Sequence, residues 1–164
     1  MRWIWIDKFV EFHTKTSAIA MKNVSLAEDH LHDIYPAFPI MPNTLIIEGM
    51  AQTAGILVGE ARNFSEKVIL AKIGRATFHR LVRPGDTIFY HAKIDQLNET
   101  GASISGTVRA GSDPSSPAIA EIELMFSHID KNLAGTAFPE HNFVFTDQFR
   151  DLLKTYRSGT QIPL

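Results

Sequence analysis

The sequence predicts an α+β domain in which an antiparallel sheet wraps around one long buried helix. Two observations carry that reading. In residues 43–62, the apolar positions Leu45, Ile46, Ile47, Met50, Ala51, Ala54, Ile56, Leu57 and Val58 cover nearly every helix face. A helix that is apolar all round is a buried helix. Strand-like segments then follow at 67–73, 75–82, 86–95, 102–110 and 118–129, rich in β-branched and aromatic residues. A sheet curled around the helix is the simplest way to bury it on all sides. The 164 residues suffice for one domain.

The elements follow in chain order. Residues 3–12 mix aromatic, β-branched and charged side chains and read as a strand or edge segment, and 17–24 (SAIAMKNV) reads as a second strand. Residues 25–42 form a long connection with three prolines, two histidines and two aromatics. A connection of that length inside a compact domain is often functional. Pro42 precedes the helix, and Asn43 or Thr44 is placed to cap it. Gly49, Gly55 and Gly59 each cost the helix about 1 kcal/mol relative to alanine, which makes sense where another group packs against the backbone. RPGD at 83–86 is a turn, with proline setting φ and glycine taking positive φ. GSDPSSP at 111–117 is a polar hairpin loop, and 132–142 is loop-like. At 147–157, Phe149, Leu152, Leu153 and Tyr156 recur at the spacing of an amphipathic helix, with Gly159 as its stop. The expected division is a core over 1–130 and a C-terminal extension over 131–164.

Composition narrows the function. Hydrophobic residues make up 45%, aromatics 10% and charged residues 21%, with a net charge of −2. That balance argues against disorder and supplies no field for nucleic acid or an anionic membrane surface. With no cysteine, disulfides, cysteine-bound zinc, iron–sulfur clusters and thiol nucleophiles are excluded. The N-terminal MRWIWIDKFVEF is broken by Asp7 and Lys8 and lacks a small-residue cleavage site, so no signal peptide is expected. The longest apolar stretch, 45–58, contains Glu48 and Gln52 and is shorter than the roughly 20 residues that span a bilayer. A soluble cytoplasmic protein is expected.

Two features carry chemistry. Glu48 lies in an otherwise apolar helix, where a carboxylate is costly unless it is paired, hydrogen-bonded or protonated. Burial would raise its pKa and suit it to general acid work; pairing at an interface, or capping a backbone group, is the structural alternative. The second feature is 28–42, EDHLHDIYPAFPIMP. His30 and His32 form an H-x-H pair flanked by Asp29 and Asp33, but no third histidine lies at helical spacing, and no metal is expected. His13, His79, His91, His128 and His141 read as surface or structural histidines.

Residues 22–55, KNVSLAEDHLHDIYPAFPIMPNTLIIEGMAQTAG, resemble the β-hydroxyacyl-acyl carrier protein dehydratases of fatty acid synthesis. The motif of that family reads approximately H-F-P-G-x-P-[IV]-M-P-G-x-L-[IL]-[IL]-E-A-M-A-Q. Here 35–42 (YPAFPIMP) and 45–52 (LIIEGMAQ) sit in register with it without gaps. Residues 71–94 resemble the strand pair around the family's P-G-D turn, and the likeness spans about 5–129. The resemblance implies a hotdog fold, a homodimer or a trimer of dimers, no cofactor, and an acyl thioester on acyl carrier protein or coenzyme A as substrate. It implies an active site shared across the dimer, with Glu48 as the carboxylate of one subunit and a loop histidine from the other. Ile34, Tyr35, Ala37, Pro42, Asn43 and Gln52 would then line the substrate site. Lys72, Arg75, Arg80 and Arg83 are candidates for meeting an acidic carrier protein.

The sequence departs from that pattern where the chemistry needs it most. Ile34 stands at the position of the catalytic histidine, Tyr35 replaces phenylalanine, Ala37 replaces glycine, and Asn43 replaces the glycine at the helix start. Ile34 cannot accept a proton. In an extended loop His32 would point the same way as position 34, and it is the candidate replacement base, with His30 as the further one. Three activities are compatible with the sequence: a dehydratase using Glu48 and His32, an impaired subunit that binds acyl chains or pairs with an active paralogue, and a thioesterase in which Glu48 activates water.

Overall fold

The computed structural model describes residues 3–129 and 144–159. Strands β1 (Lys8–His13) and β2 (Ser17–Asn23) form a hairpin. Helices α1 (Asp29–Asp33) and α2 (Asn43–Glu60) follow. Next come β3 (Val68–Phe78), β4 (Thr87–Leu97), β5 (Gly101–Ala110) and β6 (Ala118–His128). Helix α3 (Asp147–Ser158) is the last element described. The six strands make one antiparallel sheet in the order β1-β2-β4-β5-β6-β3, and α2 packs against β2, β3, β4, β5 and β6. This is the hotdog arrangement.

Helix α2 is buried from Gly49 to Glu60 on every face, as its all-round apolar composition requires. Inward-facing residues of the sheet, among them Ala20, Tyr90, Val108, Ile122 and Leu124, close around it. Two glycines of α2 are explained by close approach. A Cβ on Gly49 would lie 2.3 Å from the Tyr90 hydroxyl, and one on Gly59 would lie 2.3 Å from the Phe145 ring. At Gly55 the nearest neighbour, Phe126, leaves ordinary room at 3.5 Å.

Several sequence expectations need correction. The strands read separately at 67–73 and 75–82 are one strand, Val68–Phe78, running through Gly74. Its register against β6 shifts between Leu70 and Lys72 and between Ile73 and Arg75. A bulge absorbs the glycine that looked like a break. The first strand begins only at Lys8. The connection 25–42 is not extended throughout: Ser25 and Glu28 close a turn, with the Ser25 N–H donating to Glu28 Oε2 at 3.2 Å. Leu31, 1% exposed, then anchors α1 in the core. Helix α2 is capped by neither Asn43 nor Thr44; Pro42 is its N-cap and no side chain caps it. The RPGD turn holds as expected, with Gly85 at φ +92 and the Arg83 N–H donating to Asp86 Oδ2 at 2.8 Å.

Helix α3 forms over the predicted span and packs on β1. Phe145 and Leu153, 4% and 3% exposed, join the same core as α2. The loop expected at 132–142 and His141 lie outside the described residues. Among the described residues no helix is long and apolar enough to cross a membrane.

Candidate active site around Glu48

Glu48 lies on the exposed side of the first half of α2, half-buried. One turn on, at i+4, Gln52 is 7% exposed. Its Nε2 donates to Glu48 Oε1 at 2.9 Å and to the Trp3 carbonyl at 3.0 Å, and its Oε1 accepts the Trp5 N–H at 2.8 Å. Both amide hydrogens are thus spent on protein. Gln52, expected to contact substrate, ties the N-terminal segment to α2 and holds the carboxylate. The two tryptophans meet edge to face at 5.6 Å, and Trp5 is buried.

The carboxylate borders a cavity of about 260 Å³. One wall is the α2 stripe Glu48, Ala51, Gln52, Gly55 and Ile56; another is Val68, Ile69 and Leu70 of β3 with Phe126 of β6. Val144, Phe145 and Phe149 complete the lining. An apolar cavity with a few polar groups on its border is the usual form of a small-molecule site. The α2 stripe was readable from i, i+3, i+4 spacing. The C-terminal aromatics were not, because nothing local in the sequence ties 144–149 to α2.

The H-x-H pair does not converge. On α1, residues two apart lie roughly 200° apart around the axis. His30 turns inward, 8% exposed, with its ring edge-on to Trp5 at 5.0 Å. Burial holds its pKa below the usual histidine value; neighbouring Glu28 opposes that effect and Lys22 adds to it. No hydrogen-bond partner meets its Nε2. Buried Lys22 pairs with Glu28 and lies 4.0 Å from Asp7, which pins the turn before α1 to the N-terminal segment. His32 turns outward, and its Nε2–H donates to the Leu26 carbonyl. That bond fixes the tautomer and leaves Nδ1 as the acceptor nitrogen.

Ile34 is the C-cap of α1 and 48% exposed. Because the chain is helical here, Ile34 and His32 do not share a face, contrary to the extended-loop expectation. Tyr35 and Phe38 are also exposed, at 46% and 48%, and Ala37 is exposed beside them. Pro42 is buried at the start of α2, and Asn43 is exposed as its first residue. Of the basic candidates, Arg75 pairs with Glu123 at 2.8 Å and Arg80 with Asp86 at 2.7 Å. The Arg83 guanidinium stacks over Phe38 at 4.6 Å. Among the described residues, the remaining histidines occupy structural or surface places. His128 is fully buried with Nδ1 2.9 Å from Glu66, and His13 and His79 lie exposed beside Glu11 and Glu121.

The model of the FabA-like domain matches residues 4–113, two-thirds of the chain. The chain belongs to the FabA-like domain family. The matched segment contains β1, β2, the α1 connection, Glu48 and Gln52, and it ends before β6 and α3. Curated relatives are similar over the same region. The 3-hydroxyacyl-(acyl-carrier-protein) dehydratase FabZ of Rickettsia felis is 37% identical over 108 residues, 65% of this chain and 74% of the relative. The protein of the same name from Rickettsia bellii is 37% identical over 109 residues, 65% and 75% of the two chains. Among solved structures, the dehydratase heterocomplex ApeI:P from Xenorhabdus doucetiae aligns with a TM-score of 0.62 at 14% identity, over 79% of this chain and 86% of that one. The E. coli PaaI protein aligns with a TM-score of 0.55 at 10% identity, over 74% and 81%. At those identities the structural likeness establishes the family's hotdog fold and nothing finer.

Proposed function

We propose that this chain is a dehydratase-like subunit acting on β-hydroxyacyl thioesters of fatty acid or related lipid synthesis, with Glu48 as its proton donor. The observation that carries the reading is Glu48 itself: a carboxylate held by Gln52 on the border of an apolar cavity. The FabZ names of the curated relatives support the same reaction class.

The chemistry needs three groups. A base removes the proton α to the thioester carbonyl. The Cα–Cβ double bond forms as the Cβ–O bond breaks, and Glu48 in its acid form protonates the departing hydroxyl, releasing water. The enolate oxygen that develops needs N–H donors, and the uncapped N-terminus of α2, at Asn43 and Thr44, supplies backbone N–H groups with the favourable end of the helix dipole. His32 is the base in this reading. Its Leu26 bond orients the ring, and its exposure lets it act on a site completed by a second subunit.

Dimerisation fits the surface. β3 is an 11-residue edge strand whose residues from Leu70 to Arg75 are exposed, and long unpaired edges invite pairing. Ile34, Tyr35 and Phe38 add a second apolar patch. The acyl group would arrive on acyl carrier protein or coenzyme A in a cytoplasmic setting. The core 1–130 would carry the site and 131–164 would extend it.

A specific observation favours a second reading. Ile34 occupies the motif's histidine position, so this subunit would supply Glu48 while an active paralogue supplies the histidine. Crotonyl-thioester hydration separates the two. The first reading predicts activity in the purified chain that His32→Gln lowers by 10²-fold or more. Activity that appears only in Ile34→His, or only with a second protein added, establishes the other.

A further inference from the structure

The cavity beside Glu48 ends on a part of the chain outside the matched family segment. Its α2 wall, from Glu48 to Ile56, is a single helix face roughly 12 Å long. The carboxylate stands at one end. At the other stands Phe145, whose ring is pressed on the Gly59 backbone, with Phe149 four residues later.

This end wall is part of the core. Phe145 is 4% exposed and meets Phe64 edge to face at 5.0 Å. Phe64 is itself held at φ +56, a conformation that a bulky residue keeps only where packing enforces it. The Arg157 guanidinium donates to Glu60 Oε1 at 2.5 Å, and the Thr14 hydroxyl donates to the same oxygen at 3.1 Å. Those bonds join α3 to the end of α2 and to the β1–β2 turn.

We propose that the C-terminal segment sets acyl-chain length, with Phe145 and Phe149 stopping a chain that enters past Glu48. The inference rests on the acyl-thioester reading and deepens it. The stop also has a scale. The α2 wall from Glu48 to Ile56, roughly 12 Å long, is about the length of an extended acyl chain of ten carbons.

The test uses the full chain and a series of S-alkyl coenzyme A thioethers, four to sixteen carbons long, that can be neither hydrated nor hydrolysed. Isothermal titration calorimetry should show affinity rising to about ten carbons and falling at least tenfold for the longest chains. Phe149→Ala should move the optimum up by two or more carbons. Gly55→Leu, whose side chain grows into the cavity, should move it down. Phe145→Ala should act like Phe149→Ala where circular dichroism shows it folded. An unmoved optimum in folded Phe149→Ala and Gly55→Leu, or a wild type that binds no thioether, overturns the proposal. Crotonyl-CoA hydration measured alongside keeps the two ideas apart. A shifting optimum without hydration contradicts the dehydratase reading alone, and hydration with a fixed optimum contradicts the wall alone.

Discussion

Gln52 Nε2 donates to Glu48 Oε1 at 2.9 Å, while the same amide grips the backbone of Trp3 and Trp5. The N-terminal segment thereby fixes the rotamer of the carboxylate through one side chain. A 1 Å misplacement of a reacting group can cost 10²-fold in rate. Gln52→Leu should therefore lower kcat for crotonyl-thioester hydration by about 10²-fold, with KM changed only a few-fold, because Gln52 acts through Glu48. Steady-state kinetics check this split. An equal loss carried entirely by KM would make Gln52 a substrate contact instead.

The glycines of α2 give opposite stability effects. At Gly49 a methyl group meets the Tyr90 hydroxyl at 2.3 Å, and Tyr90 is fully buried. Gly49→Ala should destabilise by about 1–3 kcal/mol. At Gly55 the methyl has room and alanine restores helix propensity. Gly55→Ala should stabilise by up to about 1 kcal/mol. Urea unfolding of the two variants checks both signs.

His30 makes stability depend on pH. Burial lowers its pKa in the folded state below the ordinary 6.5, so the unfolded chain binds the proton more readily. Its contribution is present in full above pH 6.5 and is lost as pH falls through the lower folded-state value. Glu28 and Asp29 temper the shift and Lys22 adds to it. The thermal midpoint should fall as pH drops from about 7 to 5, and His30→Phe should flatten that fall. His91 keeps a residual slope, because burial and Arg109 lower its pKa too.

The central helix, the P-G-D turn and the amphipathic C-terminal helix were legible because each is written in local chemistry: an all-round apolar run, a turn pair, and i, i+3, i+4 spacing. Residues 25–42 were less legible. Helix α1 is five residues long, too short to show a period, and it forms because Leu31 finds a place in the core. The merged strand β3 was hidden by Gly74, which looks like punctuation until a partner strand with a bulge is present. Glu48 stood out as a lone charge in an apolar run. The role of Gln52 depends on backbone groups 47 and 49 residues away, and the Phe145–Gly59 contact joins segments that no sequence period connects.

Glu48→Gln tests the central claim most directly, because it keeps the shape of the side chain and removes the transferable proton. Crotonyl-thioester hydration should be measured with the wild type and this variant, alone and with any partner subunit that proves necessary. A wild-type rate that Glu48→Gln lowers by about 10²–10⁴-fold, with unfolding unchanged, is the predicted result. Hydration that survives the substitution, or Glu48-dependent thiol release with no hydration, would contradict it.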